Sequence, residues 1–147
     1  MNISIRKAEK GDLSRIHELV VELAIYENEP NAVTASLKDY QDCFEQGTFE
    51  SIVAIDEKEI VGIMIYYMTF STWKGKMLYL EDFVVTKAYR RKGVGKLLFS
   101  AFQKVAIEKK AVLTKWQVLD WNSPAISFYE EIGATIDKDW YNCKLYL

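Results

Sequence analysis

Little in this chain of 147 residues could hold a metal or cross-link itself. Its two cysteines, Cys43 and Cys143, form no CxxC pair, and a single histidine, His17, leaves no cluster with metal-ligand spacing. Two such thiols are expected to be reduced and buried or half-buried, as in a cytoplasmic protein. No apolar run approaches the roughly 20 residues that span a bilayer, and the opening MNISIRKAEKGD contains no apolar signal segment. A net charge of −2 disfavours a nucleic-acid binder that relies on neutralising many phosphates. Repeats, low-complexity stretches and linkers are also missing. One domain over 1–147 is therefore expected, long enough to bury a core of its own.

What is present alternates between two periods. Ile3 and Ile5 share one face of a first strand. Gly11-Asp12 offers a turn and an N-cap, after which Leu13, Ile16, Leu19, Val20 and Leu23 follow at helical spacing to about Tyr26. His17 falls on a face of this helix that is expected to be solvated. Asn28-Glu29-Pro30-Asn31 breaks it. Ser36 and Asp39 have the spacing of a capping box ahead of an apolar stripe of Leu37, Tyr40, Cys43 and Phe44, which Gly47 ends.

Residues 51–55, 60–69 and 77–85 are β-branched and aromatic, with short links at 56–59 and 73–76. Links this short require an antiparallel meander, because parallel neighbours need a long crossover. Residues 93–110 read as a helix and 112–119 as a strand, which makes a right-handed parallel crossover. Ser123-Pro124 predicts a helix with Ser at N-cap and Pro at N1, closed by Gly133. Residues 135–147 supply one or two closing strands. Trp73, Trp116, Trp121 and Trp140 are expected in core and pocket walls.

Two places could carry chemistry. Arg90-Arg91-Lys92-Gly93-Val94-Gly95-Lys96 sets two glycines and four cations at the mouth of a helix. Free backbone N–H groups and the positive end of the helix dipole make such a mouth an anion site; a solvated basic turn is the competing reading. Leu97 stands where a Walker A loop has Ser or Thr, and the three-glycine dinucleotide fingerprint is absent. The second place is the strand 77–85, apolar on both faces as if covered on both sides, yet interrupted by Glu81 and Asp82. A buried unpaired carboxylate is costly. Such acids either bond to backbone at a bulge or serve as acid–base groups.

The spacing Arg90-x-x-Gly93-x-Gly95 after an apolar strand resembles the acetyl-CoA signature of the GNAT N-acetyltransferases. The order of elements matches that family over nearly the whole chain, and Asn122-Ser123-Pro124-Ala125 with Phe128-Tyr129 and Gly133 resembles its second cofactor motif. LYLEDFVV and WNSPAISFYEEIGA are most similar to diamine (spermidine/spermine-type) and thialysine acetyltransferases. The resemblance implies an α/β acyl-CoA N-acyltransferase fold, with a mixed central sheet of about six or seven strands flanked by four helices.

It also implies direct acetyl transfer from acetyl-CoA to a primary amine of a small cationic molecule: a diamine, a polyamine or a lysine-like amino acid. Phe83, Val84 and Val85 would lie along the pantetheine. Arg90, Arg91, Lys92, Gly93, Val94, Gly95 and Lys96 would surround the pyrophosphate, and Asn122, Ser123, Pro124 and Ala125 the other side of the cofactor. Glu81 would bind or deprotonate the amine, and Tyr129 would protonate the departing thiolate. An amide of Phe83 or Val84 is the candidate donor to the developing oxyanion. Tyr26, Glu27, Glu81, Asp82, Lys115, Trp116 and Gln117 match substrate-contact positions. Lys115 opposes a polycation and suits an amine that also carries a carboxylate, and the region after Gly133 is shorter than in the diamine enzymes. A homodimer in the cytoplasm is implied, with neither metal, nucleic acid nor membrane as partner. Two other readings stay open, a protein or peptide N-acetyltransferase of the same fold and a non-catalytic CoA-binding sensor.

Overall fold

The two periods resolve into five strands and four helices. They are β1 (Ile3–Lys7), α1 (Leu13–Tyr26), α2 (Leu37–Glu45), β2 (Glu50–Asp56), β3 (Glu59–Ser71), β4 (Gly75–Val85), α3 (Val94–Glu108), β5 (Leu113–Lys115) and α4 (Ser123–Glu131). The computed structural model describes all of residues 1–147. Contacts divide the chain into two compact units, Met1–Trp116 and Gln117–Leu147.

In the first unit one sheet runs β1-β2-β3-β4-β5, antiparallel except for the parallel pair β4–β5. Alternation sorts β3 into two faces. Ile63 and Ile65, with Val53 and Val84, pack on Leu13, Ile16, Leu19 and Val20 of α1, and Tyr40 and Phe44 of α2 lie against the same cluster. On the opposite face Tyr66 meets Phe102 of α3 at 5.7 Å, and Phe83 of β4 meets Phe99 at 5.6 Å. The sheet is thus a layer between α1 and α2 on one side and α3 on the other. α3 comes so near that a Cβ on Gly62 would lie 2.9 Å from Leu98 Cδ1 and 3.2 Å from the Val84 carbonyl. Fully burying a Leu or Ile contributes about 1.5–3 kcal/mol, so the α1 stripe is a principal anchor of this face.

The second unit contains α4 and the segment after it. The Asn122 side chain accepts from the Ala125 N–H at 3.4 Å, so Asn122 is the N-cap and Ser123 is already helical. Pro124 sits one place further in than expected, where its missing N–H still costs nothing. Gly133, at φ 87°, follows the helix as predicted.

Other expectations change. The sheet has five strands rather than six or seven. β5 is only three residues long, and its ladder with β4 stops at Tyr79–Lys115. Residues 135–147 form no strand despite their apolar alternation, since strand propensity needs an edge to pair with. Asp12 is the N-cap residue of α1 but makes no side-chain cap bond; its carboxylate instead takes the Arg6 guanidinium at 2.7 and 3.1 Å and the Glu9 N–H at 2.8 Å. Ser36 and Asp39 do form the predicted capping box on α2. Trp73 and Trp140 are 83% and 74% exposed, so neither is a core or pocket wall. Cys43 is partly buried and Cys143 exposed, both as free thiols. No helix is long and apolar enough to cross a membrane.

Candidate active site

β4 is where the sheet loses its regularity. Ile65 pairs with Asp82 and Tyr66 with Leu80, so Glu81 is an extra residue without a partner, a β-bulge. One consequence concerns the backbone. Before the bulge the Lys76 carbonyl accepts from Val112, so even-numbered residues face β5; after it Thr86 donates to Val61, so even-numbered residues face β3. Phe83 and Val85 therefore turn their backbone groups away from β3, beyond the end of the β4–β5 ladder at Tyr79, and the Val85 carbonyl accepts from Arg90. Of the two candidate oxyanion donors, Phe83 has the outward amide and Val84 the inward one.

The other consequence concerns the carboxylates. Plain alternation would send Glu81 and Asp82 to opposite faces. The bulge brings both to the side of α1 and α2. Asp82 lies opposite Ile65, which packs on α1, while Glu81 accepts a 2.8 Å hydrogen bond from the Tyr67 hydroxyl. Tyr67 stacks on its cross-strand partner Tyr79 at 5.4 Å.

Electrostatics separate the two acids. Asp82 is partly buried, and burial first, then the charges of Glu81 and Glu27, push its carboxyl up to about 7. Glu81 is exposed. Glu27, at the end of α1, is partly buried and raised by that burial. Across from them the Tyr40 phenol is pushed up to about 12 by burial and by the charges of Asp82 and Glu81. Lys115 is exposed and pairs with Tyr79, so it shares the face of Tyr67 and the acids. The next residue, Trp116, turns the other way and sets its ring against Phe99 at 5.3 Å. In the second unit the Gln117 amide hydrogen-bonds the Asn142 side chain.

The glycine turn works through backbone. Gly93 has φ 85° and Arg91 φ 60°, two left-handed residues within three. Gly93 is required by that φ, not by space, because a Cβ there would meet nothing within 4 Å. No side chain caps α3 at Gly93, and its first turn, opening with Val94 and Gly95, follows two left-handed residues, a backbone arrangement that favours anions. Arg91, Lys92 and Lys96 are exposed around it. Arg90 has another task. Its Nε donates to the Val85 carbonyl at 2.8 Å and its guanidinium lies 5.0 Å from the Tyr26 ring, bracing the turn against β4 and α1. In the second unit Ser123 and Pro124 are exposed, and Tyr129 is 7% exposed with its ring 5.8 Å from Phe128.

An outward strand edge, a cationic helix mouth with no side-chain cap and a separate acidic face thus all lie in the first unit. The profile of the acetyltransferase (GNAT) family matches residues 13–134, and the chain belongs to that family. It is an amine N-acetyltransferase acting on a small amine. It is 35% identical over 142 residues to a thialysine N-epsilon-acetyltransferase of Bos taurus, covering 90% of this chain and 84% of that protein. It is 36% identical over 92 residues to an L-ornithine N5-acetyltransferase of Arabidopsis thaliana, covering 62% of this chain and 40% of that one. The fold matches a crystal structure of an aminoglycoside acetyltransferase from an uncultured soil metagenomic sample, at TM-score 0.83 and 22% identity, covering 99% and 96% of the two chains.

Proposed function

We propose that the chain transfers the acetyl group of acetyl-CoA to the side-chain amine of a lysine- or ornithine-like amino acid. The observation that carries the substrate class is Lys115. It shares a sheet face with Glu81 and Asp82, which suits an amine whose other end is a carboxylate and opposes a polyamine. The names of the thialysine and ornithine relatives agree.

When bound, acetyl-CoA supplies an activated acetyl thioester. The residues present fit it. The N–H groups opening α3, with Arg91, Lys92 and Lys96, would hold its pyrophosphate, and the outward groups of Phe83 and Val85 its extended arm. The Phe83 N–H would favour negative charge growing on the attacked carbonyl oxygen. An alkylammonium has a pKa near ~10 and must lose a proton before it attacks. We assign that step to Asp82, whose carboxyl at about 7 is matched to proton transfer near neutral pH. Glu81, fixed by Tyr67, would attract and orient the ammonium. Asn122, Ser123, Pro124 and Ala125 are assigned to cofactor binding, and Tyr129 to returning a proton to the leaving thiolate, on their family motif.

The family profile runs across both units, which supports one catalytic domain. We extend the proposal to a cytoplasmic homodimer; exposed Trp140, Tyr141, Leu145 and Tyr146 offer apolar surface for such an interface, and light scattering tests it. The deciding experiment measures CoA release with lysine, ornithine, thialysine, diamines and polyamines. Highest kcat/KM with the amino acids is expected. A preference for polyamines overturns the substrate class, and no release despite acetyl-CoA binding favours the sensor.

A further inference from the structure

We propose that His17 is a positioning residue for the amine site, clamping the Tyr40 ring and the loop 27–36 onto α1. This rests on the reading of the Asp82–Glu81 face as the amine's receptor. His17 is the chain's only histidine, and it is held by contacts rather than left wholly to solvent as expected. It is partly buried, with Nε2 2.8 Å from the Ala35 carbonyl. A carbonyl only accepts, so Nε2 carries the hydrogen. The same imidazole meets the Tyr40 ring edge-on, centroids 4.9 Å apart at 79°. Tyr40 is backed on its other side by Phe49 at 5.9 Å.

One side chain on α1 thus fixes Ala35, next to the end of the loop, and the first turn of α2 together. Packing against the sheet does not ask for this, since an aliphatic residue would fill the helix face without a polar contact 18 residues away. What the clamp holds is relevant to the site at both ends. The loop begins at Glu27, one of the charges acting on Asp82. Tyr40 packs against the cluster that holds Ile65, the cross-strand partner of Asp82, and its phenol, raised by burial and by the charges of Asp82 and Glu81, hydrogen-bonds neither acid. Its oxygen is therefore available to a third group received by those acids. A primary ammonium has three N–H donors, enough to serve both carboxylates and one phenol oxygen. Tyr40 becomes the specificity-determining contact, and His17 sets its place.

Three variants separate the parts. His17→Phe keeps an aromatic edge and removes the N–H, His17→Gln restores a donor, and Tyr40→Phe keeps the ring and removes the hydroxyl. With the preferred amine of the panel, His17→Phe is expected to raise the amine KM about 3- to 10-fold, the value of one hydrogen bond. kcat and the acetyl-CoA KM stay unchanged, and amide hydrogen exchange over 28–36 accelerates. His17→Gln returns both readouts toward the parent. Tyr40→Phe raises the amine KM to a similar extent without faster exchange. Faster exchange in His17→Phe with an unchanged amine KM makes the clamp merely structural and overturns the proposal. An unchanged amine KM in Tyr40→Phe overturns it even if the His17 variants fail to fold. Failure of the underlying reading looks different, because Asp82→Asn and Glu81→Gln then leave kcat/KM for the amine unchanged.

Discussion

The turn assigned to the cofactor and the face assigned to the amine recognise charge by opposite means. The turn uses backbone. Its N–H groups open α3 after Arg91 and Gly93, which adopt left-handed φ, and its cations stand exposed in solvent. The amine face uses side chains that the fold partly removes from water, so that Asp82 meets Glu81 and Glu27 and its carboxyl climbs to about 7. A pyrophosphate keeps its charge throughout the reaction, and a constant anion needs only fixed dipoles and screened cations. An ammonium must shed a proton, and that requires a group whose own protonation is near balance at working pH. Binding is assigned to a rigid backbone and proton transfer to a strained electrostatic cluster.

Removing the titrating group should break this contrast most severely. Asp82→Asn is expected to lower kcat/KM for the amine by about 10²–10³-fold, and to abolish an acid limb near pH 7 in the parent's kcat/KM profile, while acetyl-CoA binding holds. If Glu81→Gln removes that limb and Asp82→Asn retains it, the two acids have been assigned in the wrong order. Tyr129→Phe comes next, with kcat falling by roughly ten- to a thousand-fold at unchanged acetyl-CoA affinity. An unchanged kcat with chemistry rate-limiting would remove Tyr129 from the acid role. Gly93→Val tests the other side of the comparison. A β-branched residue at φ 85° must distort the turn, and we expect the acetyl-CoA KM to rise about ten-fold with the amine KM unaffected.

The same contrast explains what the sequence could disclose. The turn is local, so Arg90, Gly93 and Gly95 announce it at fixed spacing, and the capping box at Ser36 and Asp39 was legible for the same reason. The meander and the parallel crossover were also legible, because link lengths decide them. The amine face was not. A bulge at Glu81 is one extra residue in a run that reads as regular, yet it decides that both carboxylates share a face and that Phe83 rather than Val84 points outward. With the bulge unplaced, Glu81 had the stronger claim to function, whereas burial and neighbouring charge fall on Asp82. Tyr40 does lie on the core stripe that the sequence shows, but nothing local to it or to His17 discloses that the two rings meet. The missing closing strand has a related cause. Residues 135–147 have the alternation of a strand, but a strand forms only by pairing, which alternation alone does not supply.

The smallest expected effect is thermodynamic, and it tests the electrostatics of Asp82 without any substrate. Its folded carboxyl lies at about 7 against an ordinary value of 3.8, so the folded chain binds this proton more tightly than the unfolded chain does. The contribution to stability is complete at pH below 3.8, falls as pH rises through the interval from 3.8 to about 7, and is fully lost above it. The amide introduced by Asp82→Asn would be neutral in both states and free of this dependence. The melting temperatures of the parent and Asp82→Asn should therefore converge near pH 4, and the variant should become the more stable protein by pH 8. Three pH units correspond to about 4 kcal/mol as an upper bound; partial solvent screening reduces this to about 1–2 kcal/mol, or roughly 2–8 °C in Tm. A gap that stays constant from pH 4 to pH 8 would show that Asp82 titrates alike in folded and unfolded chains, and the base role would then lose its physical footing.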